Sequence, residues 1–216
     1  MSKDYFSIKV PAKINLFLNV IDKRKDGFHN ILSGITFINL YDVITISKAK
    51  KFILEYSGEF KPKNKYFEKD LILKTLSVLN LKNDTKLHIK IEKNIPTLSG
   101  LGSASTNAAA LIKCLNYFSL IKKFDEHLLS FIGSDVSACY YSQDCLLKEK
   151  GDIIDFNVNF PKIYLLLIKP NINISTSKMY SKIKKFSNFN NSEKFFRDNL
   201  NLNNLKNYKN IFQKIA

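Results

Sequence analysis

Residues 96–106 read PTLSGLGSAST and run directly into NAAALIKCLNYF. A turn needs one glycine, and a flexible linker is not followed at once by a helical pattern. Gly100 and Gly102 permit positive φ and a close backbone approach. Ser103, Ser105 and Thr106 add hydroxyl donors. The helix expected over roughly 104–118 opens with unpaired N–H groups and the positive end of its dipole. Together these make a pocket for a phosphate-like anion. The spacing is neither GxxxxGK[ST] nor GxGxxG, which sets aside the Walker loop and the dinucleotide fingerprint. A plain strand–turn–helix connection with a serine cap would explain GLG alone. The added small residues Ala104, Ala108, Ala109 and Ala110 keep the helix start thin, so its backbone can approach a ligand or a sheet. Ala108, Leu111, Ile112 and Leu115 share one face and are expected in the core.

The elements around this loop suggest an α+β fold. Residues 7–20 alternate as a strand, with Pro11 marking an edge or a bulge. An Asp-Gly turn signal sits in RKDGFHN at 24–30. Residues 34–47, 52–56 and 86–96 read as further strands, and 66–80 as an amphipathic helix on Leu71, Thr75 or Leu76, and Leu79. A short helix over 125–132, a hairpin over 146–156 and a buried strand over 162–170 follow. Beyond 175 the chain is polar, rich in Asn and Lys, and expected to be helical in pieces. Strands first and mixed elements later favour α+β over a doubly wound parallel sheet.

A chain of 216 residues, 45% apolar, suits one large domain or two small ones. No apolar run approaches about 18 residues, so no membrane span is expected. MSKDYFSIKV lacks the pattern of an export signal, which points to the cytoplasm. Cys114, Cys139 and Cys145 have no CxxC spacing and are expected to be reduced. His29, His88 and His127 are scattered, and no metal site is expected from them. The net charge of +15 comes from dispersed lysines in a chain also rich in Asn, Ile and Phe, the signature of AT-rich codons. It suits anionic small molecules better than a nucleic-acid partner, since no aromatic-interleaved basic stripe is present.

PTLSGLGSAS resembles the phosphate-binding signature of the GHMP kinases. PAKINLFLNV (11–20), DGFHNI (26–31), GSDVSACY (133–140) and KPNINISTSKMY (169–180) narrow the likeness to the branch acting on 4-diphosphocytidyl-2-C-methyl-D-erythritol. The resemblance covers about residues 8–180. It implies a GHMP kinase fold: an N-terminal domain like ribosomal S5 domain 2 over 1–160, then the start of a C-terminal α/β domain over 161–216. It implies ATP, carried with Mg2+, as phosphoryl donor and 4-diphosphocytidyl-2-C-methyl-D-erythritol as acceptor. Asp135 takes the place of the family's catalytic base and Lys13 that of the lysine paired with it. Asn15, Phe28 and His29 take the substrate positions, Phe28 standing where tyrosine is usual. Pro96, Gly100, Leu101, Gly102, Ser103, Ala104, Ser105 and Thr106 match the loop around the ATP phosphates, and Lys93 a basic position near the base. Ser105 is a candidate Mg2+ ligand.

Read alone, Asp135 would be a helix cap, Lys13 a solvated strand lysine and His29 a structural histidine at a turn. Three departures stand out. Asp70 replaces an asparagine near adenine, Ser137 replaces a proline, and the family's late L-T-G-T-G-A-C motif has no counterpart. That last departure leads us to expect a shortened second domain and reduced turnover. Another GHMP acceptor such as mevalonate or homoserine, a nucleotide binder without catalysis, and an RNA-binding S5-like domain are the alternatives.

Overall fold

The computed structural model describes residues 5–62, 70–81, 85–121, 124–170, 176–187, 201–205 and 209–214. Contacts divide the chain into two compact units. The first comprises residues 1–13, 38–97 and 101–141, and the second 14–37, 98–100 and 142–216. Two long strands, β1 (Tyr5–Lys23) and β2 (His29–Lys48), pair with each other and contribute to both. β1 runs through Pro11 without interruption and pairs with β2, and farther along Leu18 makes an isolated parallel bridge to Asn210.

In the first unit, β3 (Ile53–Ser57) runs parallel to β4 (Leu87–Glu92), which pairs antiparallel with Val43–Lys48 of β2. Along β4 the alternation holds: Leu87, Ile89 and Ile91 are buried, while His88, Lys90 and Glu92 face outward. Against the apolar face pack α1 (Leu71–Val78) and α2 (Ser103–Tyr117), which bring Ile72 and Leu76, and Ala110, Leu111, Cys114 and Leu115. The expected core face of α2 is fully borne out, since Ala108, Leu111, Ile112 and Leu115 are all 0% exposed. Each such Leu or Ile contributes about 1.5–3 kcal/mol. The short helices α3 (Leu128–Ile132) and α4 (Val136–Tyr141) complete this unit.

Asp70 caps α1: its Oδ1 accepts from the Ile72 N–H at 2.8 Å, and its Oδ2 from the Tyr56 hydroxyl at 2.5 Å. Burial, reinforced by that carboxylate, pushes the Tyr56 phenol above its ordinary pKa and keeps it a donor. Asp70→Ala removes the cap and strands the phenol. Chemical denaturation should show a loss of about 2 kcal/mol, and Asp70→Asn a smaller one.

In the second unit, Ile31–Ile35 of β2 pair antiparallel with β5 (Cys145–Glu149), and β5 forms the expected hairpin with β6 (Ile153–Asp155). Phe17, Leu32, Leu146 and Phe160 make one core cluster. Leu18, Val20 and Ile31 make another with Tyr180, Ile183, Ile211 and Phe212. α5 (Thr176–Ser181), α6 (Leu202–Leu205) and a 3-10 turn (Ile211–Lys214) follow.

The buried strand expected over 162–170 does not form. The backbone joins no ladder, and Tyr164, Leu166 and Ile168 are more than 80% exposed. Strand propensity supplies apolar side chains but not the neighbour that would satisfy the N–H and C=O groups. Part of the amphipathic reading at 66–80 falls on 66–69, outside the described residues. No helix among the described residues is long and apolar enough to cross a membrane.

Candidate functional site

The first unit brings the expected lysine and aspartate together. Lys13 on β1 is 4% exposed, and its Nζ lies 2.8 Å from Asp135 Oδ2. It is therefore no solvated strand lysine. Asp135 sits in the turn between α3 and α4, where its carbonyl accepts from the Cys139 N–H at 3.0 Å. The carboxylate is left to face the ammonium. Ser137 falls in the first turn of α4, a position that tolerates proline or serine.

The glycine loop reaches the same lysine from the other side. The Lys13 N–H donates to the Leu101 carbonyl at 2.9 Å. Gly102 has φ +66°, and a Cβ there would lie 2.8 Å from Lys13 Cε. It caps α2 without a side chain, leaving the N–H groups of residues 103–105 without carbonyl partners in the helix. A helix end of this kind suits an anion. The three hydroxyls differ. Ser103 Oγ donates inward to Asp42 at 2.8 Å, and Thr106 Oγ1 donates back to the Ser103 carbonyl at 3.1 Å. Ser105 is half-buried and its hydroxyl makes no side-chain hydrogen bond among the described residues, which leaves that oxygen open to a ligand. Ala104 beside it is exposed, and Pro96, at the loop's start, is half-buried.

Lys93 lies just past β4. It is 4% exposed, and its ammonium contacts both the Asp42 carboxylate and Ser103 Oγ. Burial pulls the ammonium below its ordinary pKa, against the opposing charge of Asp42. Asp42 is 0% exposed and was missed from the sequence. A signal was present: Asp42 shares its strand face with Ile44 and Ile46, both buried, so its charge had to find a partner. Asp70, which replaces the family's asparagine near adenine, spends both carboxylate oxygens on its helix cap and on Tyr56.

The second unit holds the other expected residues. Asn15 Nδ2 donates to Ser33 Oγ at 2.8 Å, and Ser33 Oγ in turn donates to the Phe17 carbonyl at 2.7 Å. Asp26 Oδ1 accepts from the Phe28 N–H at 3.1 Å and shapes a turn that leaves Phe28 57% exposed. His29 stacks on Tyr180 with ring centroids 5.2 Å apart. Burial, with the nearby Lys23 charge, holds its pKa below the ordinary value, so the ring is mostly neutral at pH 7. Gly100 belongs to this unit, at φ +78°.

Residues 70–143 match the GHMP kinases N terminal domain family. The chain is 40% identical over a 223-residue alignment to the 4-diphosphocytidyl-2-C-methyl-D-erythritol kinase of Pelagibacter ubique, covering 98% of this chain and 76% of that protein. It is 37% identical over 179 residues to the enzyme of that name from Caldanaerobacter subterraneus, covering 81% of this chain and 61% of the relative's length. Among solved structures, a 4-(cytidine 5'-diphospho)-2C-methyl-D-erythritol kinase superposes with TM-score 0.64 at 20% identity, over 84% of this chain and 66% of the other. That likeness shows the α+β GHMP kinase fold.

Proposed function

This chain belongs to the 4-diphosphocytidyl-2-C-methyl-D-erythritol kinase family of GHMP kinases, and we propose that it transfers the γ-phosphoryl group of ATP to the 2-hydroxyl of 4-diphosphocytidyl-2-C-methyl-D-erythritol. The observation that carries this reading is the Lys13–Asp135 pair, 2.8 Å apart, with Lys13 packed beneath the glycine that opens α2. An alcohol is a poor nucleophile until a base takes its proton. Asp135 accepts the proton of the 2-hydroxyl. The oxygen then attacks the γ-phosphorus, and the bond to the ADP oxygen breaks. Lys13 holds the carboxylate in place and offsets the charge gathering on the transferred group.

The free N–H groups of 103–105 suit the ATP phosphates. Mg2+ would arrive with the nucleotide. It binds through phosphate oxygens and water with few protein ligands, so a single open hydroxyl such as Ser105 fits its needs. Among the described residues no cluster of three or more His, Cys, Asp or Glu could hold a metal. In the second unit, the exposed ring of Phe28 and the neutral His29 suit a cytosine base and its polar edge, with Asn15 as a further substrate contact. In this reading residues 1–160 carry nucleotide and acceptor binding, and 161–216 begin a second domain. The relatives' names favour this acceptor over mevalonate or homoserine.

The test is a coupled ADP-release assay with ATP, Mg2+ and each candidate acceptor. ADP release should depend on 4-diphosphocytidyl-2-C-methyl-D-erythritol and be competed by CMP or CDP. Release with mevalonate or homoserine instead, or none from folded protein, overturns the reading.

A further inference from the structure

We propose that Asp42 is a positioning residue that clamps both ends of the nucleotide loop, so that one buried carboxylate sets the register of the α2 N-terminus. The inference rests on the kinase reading for its ligand and on the geometry of the first unit for its substance. Asp42 Oδ1 accepts from the backbone N–H groups of Asn94 at 2.7 Å and Ile95 at 2.8 Å, where the chain leaves β4. Its Oδ2 accepts from Ser103 Oγ at 2.8 Å and Asn107 Nδ2 at 3.0 Å, on the first two turns of α2. The Lys93 ammonium contacts the same oxygen and Ser103. Five donors therefore converge on one side chain. Three come from the segment entering the loop and two from the helix leaving it.

Strand geometry explains why the clamp sits here. Val43 pairs with Glu92 in the antiparallel register, so the next step places Asp42 opposite Lys93. Both side chains follow the buried face, Asp42 after Ile44 and Ile46, and Lys93 after Ile89 and Ile91. Two apolar residues would hold the sheet together as well, because a buried ion pair gives little net stability against well-packed hydrophobic side chains. What apolar residues lack is direction. A carboxylate saturated by donors from both sides fixes where the helix begins relative to the strand. Asn107 supports this account. It is 3% exposed, and its Oδ1 has no partner among the described residues. A residue selected only for packing would not leave that oxygen unpaired. Its amide is oriented by Asp42.

The consequence reaches the proposed chemistry through one step. Ser103 follows Gly102, and Gly102 lies against the side chain of Lys13. A shift of the first helical turn moves the phosphate-binding N–H groups and crowds the lysine.

The test is calorimetric titration of wild type, Asp42→Asn and Asn107→Ala with a non-hydrolysable ATP analogue, alongside KM for ATP, KM for the acceptor and kcat. A clamp predicts a dissociation constant raised about tenfold to 10²-fold in Asp42→Asn. Asn107→Ala, which leaves the ion pair intact, should move it the same way by a smaller factor. KM for ATP rises with it, and KM for the acceptor stays. A purely structural role would lower the melting temperature and the active fraction, yet leave the affinity of the folded molecules unchanged. Folded variants with wild-type affinity overturn the proposal. Should Asp42→Asn not fold, Asn107→Ala decides alone. A wild-type chain that binds the analogue but phosphorylates no acceptor overturns the reaction and not the clamp. One that binds no analogue overturns both.

Discussion

Asp135→Asn lowers the rate of phosphoryl transfer about 10²- to 10⁴-fold, the range expected when a positioned general base is removed. Asparagine keeps the size of the side chain and an oxygen that can accept from Lys13. It cannot take a proton from the acceptor hydroxyl, and it removes the carboxylate charge that faces the lysine, whose side chain is 5% exposed. The carboxylate of Asp135 is 35% exposed, so water reaches the pair. The stability change therefore stays near about 1 kcal/mol. Binding of an ATP analogue should change little, because the N–H groups of α2 are untouched. Single-turnover transfer, analogue titration and a thermal melt on one preparation separate these effects. A variant that keeps more than about a tenth of the wild-type rate places the base elsewhere.

The sequence was most legible where a local pattern sufficed. The alternation of LHIKIE sets the inward face of β4, and the spacing of Ala108, Leu111, Ile112 and Leu115 sets that of α2. Lys13 and Asp135 are separated by 122 positions (135 minus 13), and neither carries a local signal of its role. Only the likeness to a family linked them, and the fold places them 2.8 Å apart. Asp42 was hidden for a related reason. Its partners come from the end of β4 and the start of α2, so its importance is tertiary, although strand parity already required an inward charge. The glycine loop stands where the pattern put it, at the N-terminus of α2. Its hydroxyls were not distinguishable, because whether a serine faces a ligand or the protein depends on what lies behind the helix. Ser103 has Asp42 behind it, and Ser105 does not. At 162–170 the reverse error occurred. A strong local pattern implied a strand, but a strand exists only in a ladder.

Gly102→Ala should be the second most damaging change, and its cost should fall on rate more than on folding. The residue has φ +66°, a conformation that costs an alanine about 1–2 kcal/mol. That strain alone would not stop catalysis. The new methyl, however, would sit 2.8 Å from Lys13 Cε and 3.0 Å from Lys13 Cβ, too close for either atom to stay. Lys13 has little room to yield. It is 4% exposed, and its N–H is tied to the Leu101 carbonyl at 2.9 Å. Relief comes either by moving the ammonium off Asp135 or by lifting the first turn of α2. Each displaces a group that the proposed transfer needs in place, and misplacement of about 1 Å can cost 10²-fold in rate. Gly100→Ala is the matched comparison. Its φ is +78°, yet a Cβ there meets no heavy atom within 4 Å. It should lose a similar increment of stability and keep its rate to within a few-fold. Denaturation and kcat measured on both variants distinguish strain from contact. Equal rates would mean that the approach of Gly102 to Lys13 serves packing alone. A rate lost only in Gly102→Ala would mean that the glycine is there to let a helix start against Lys13.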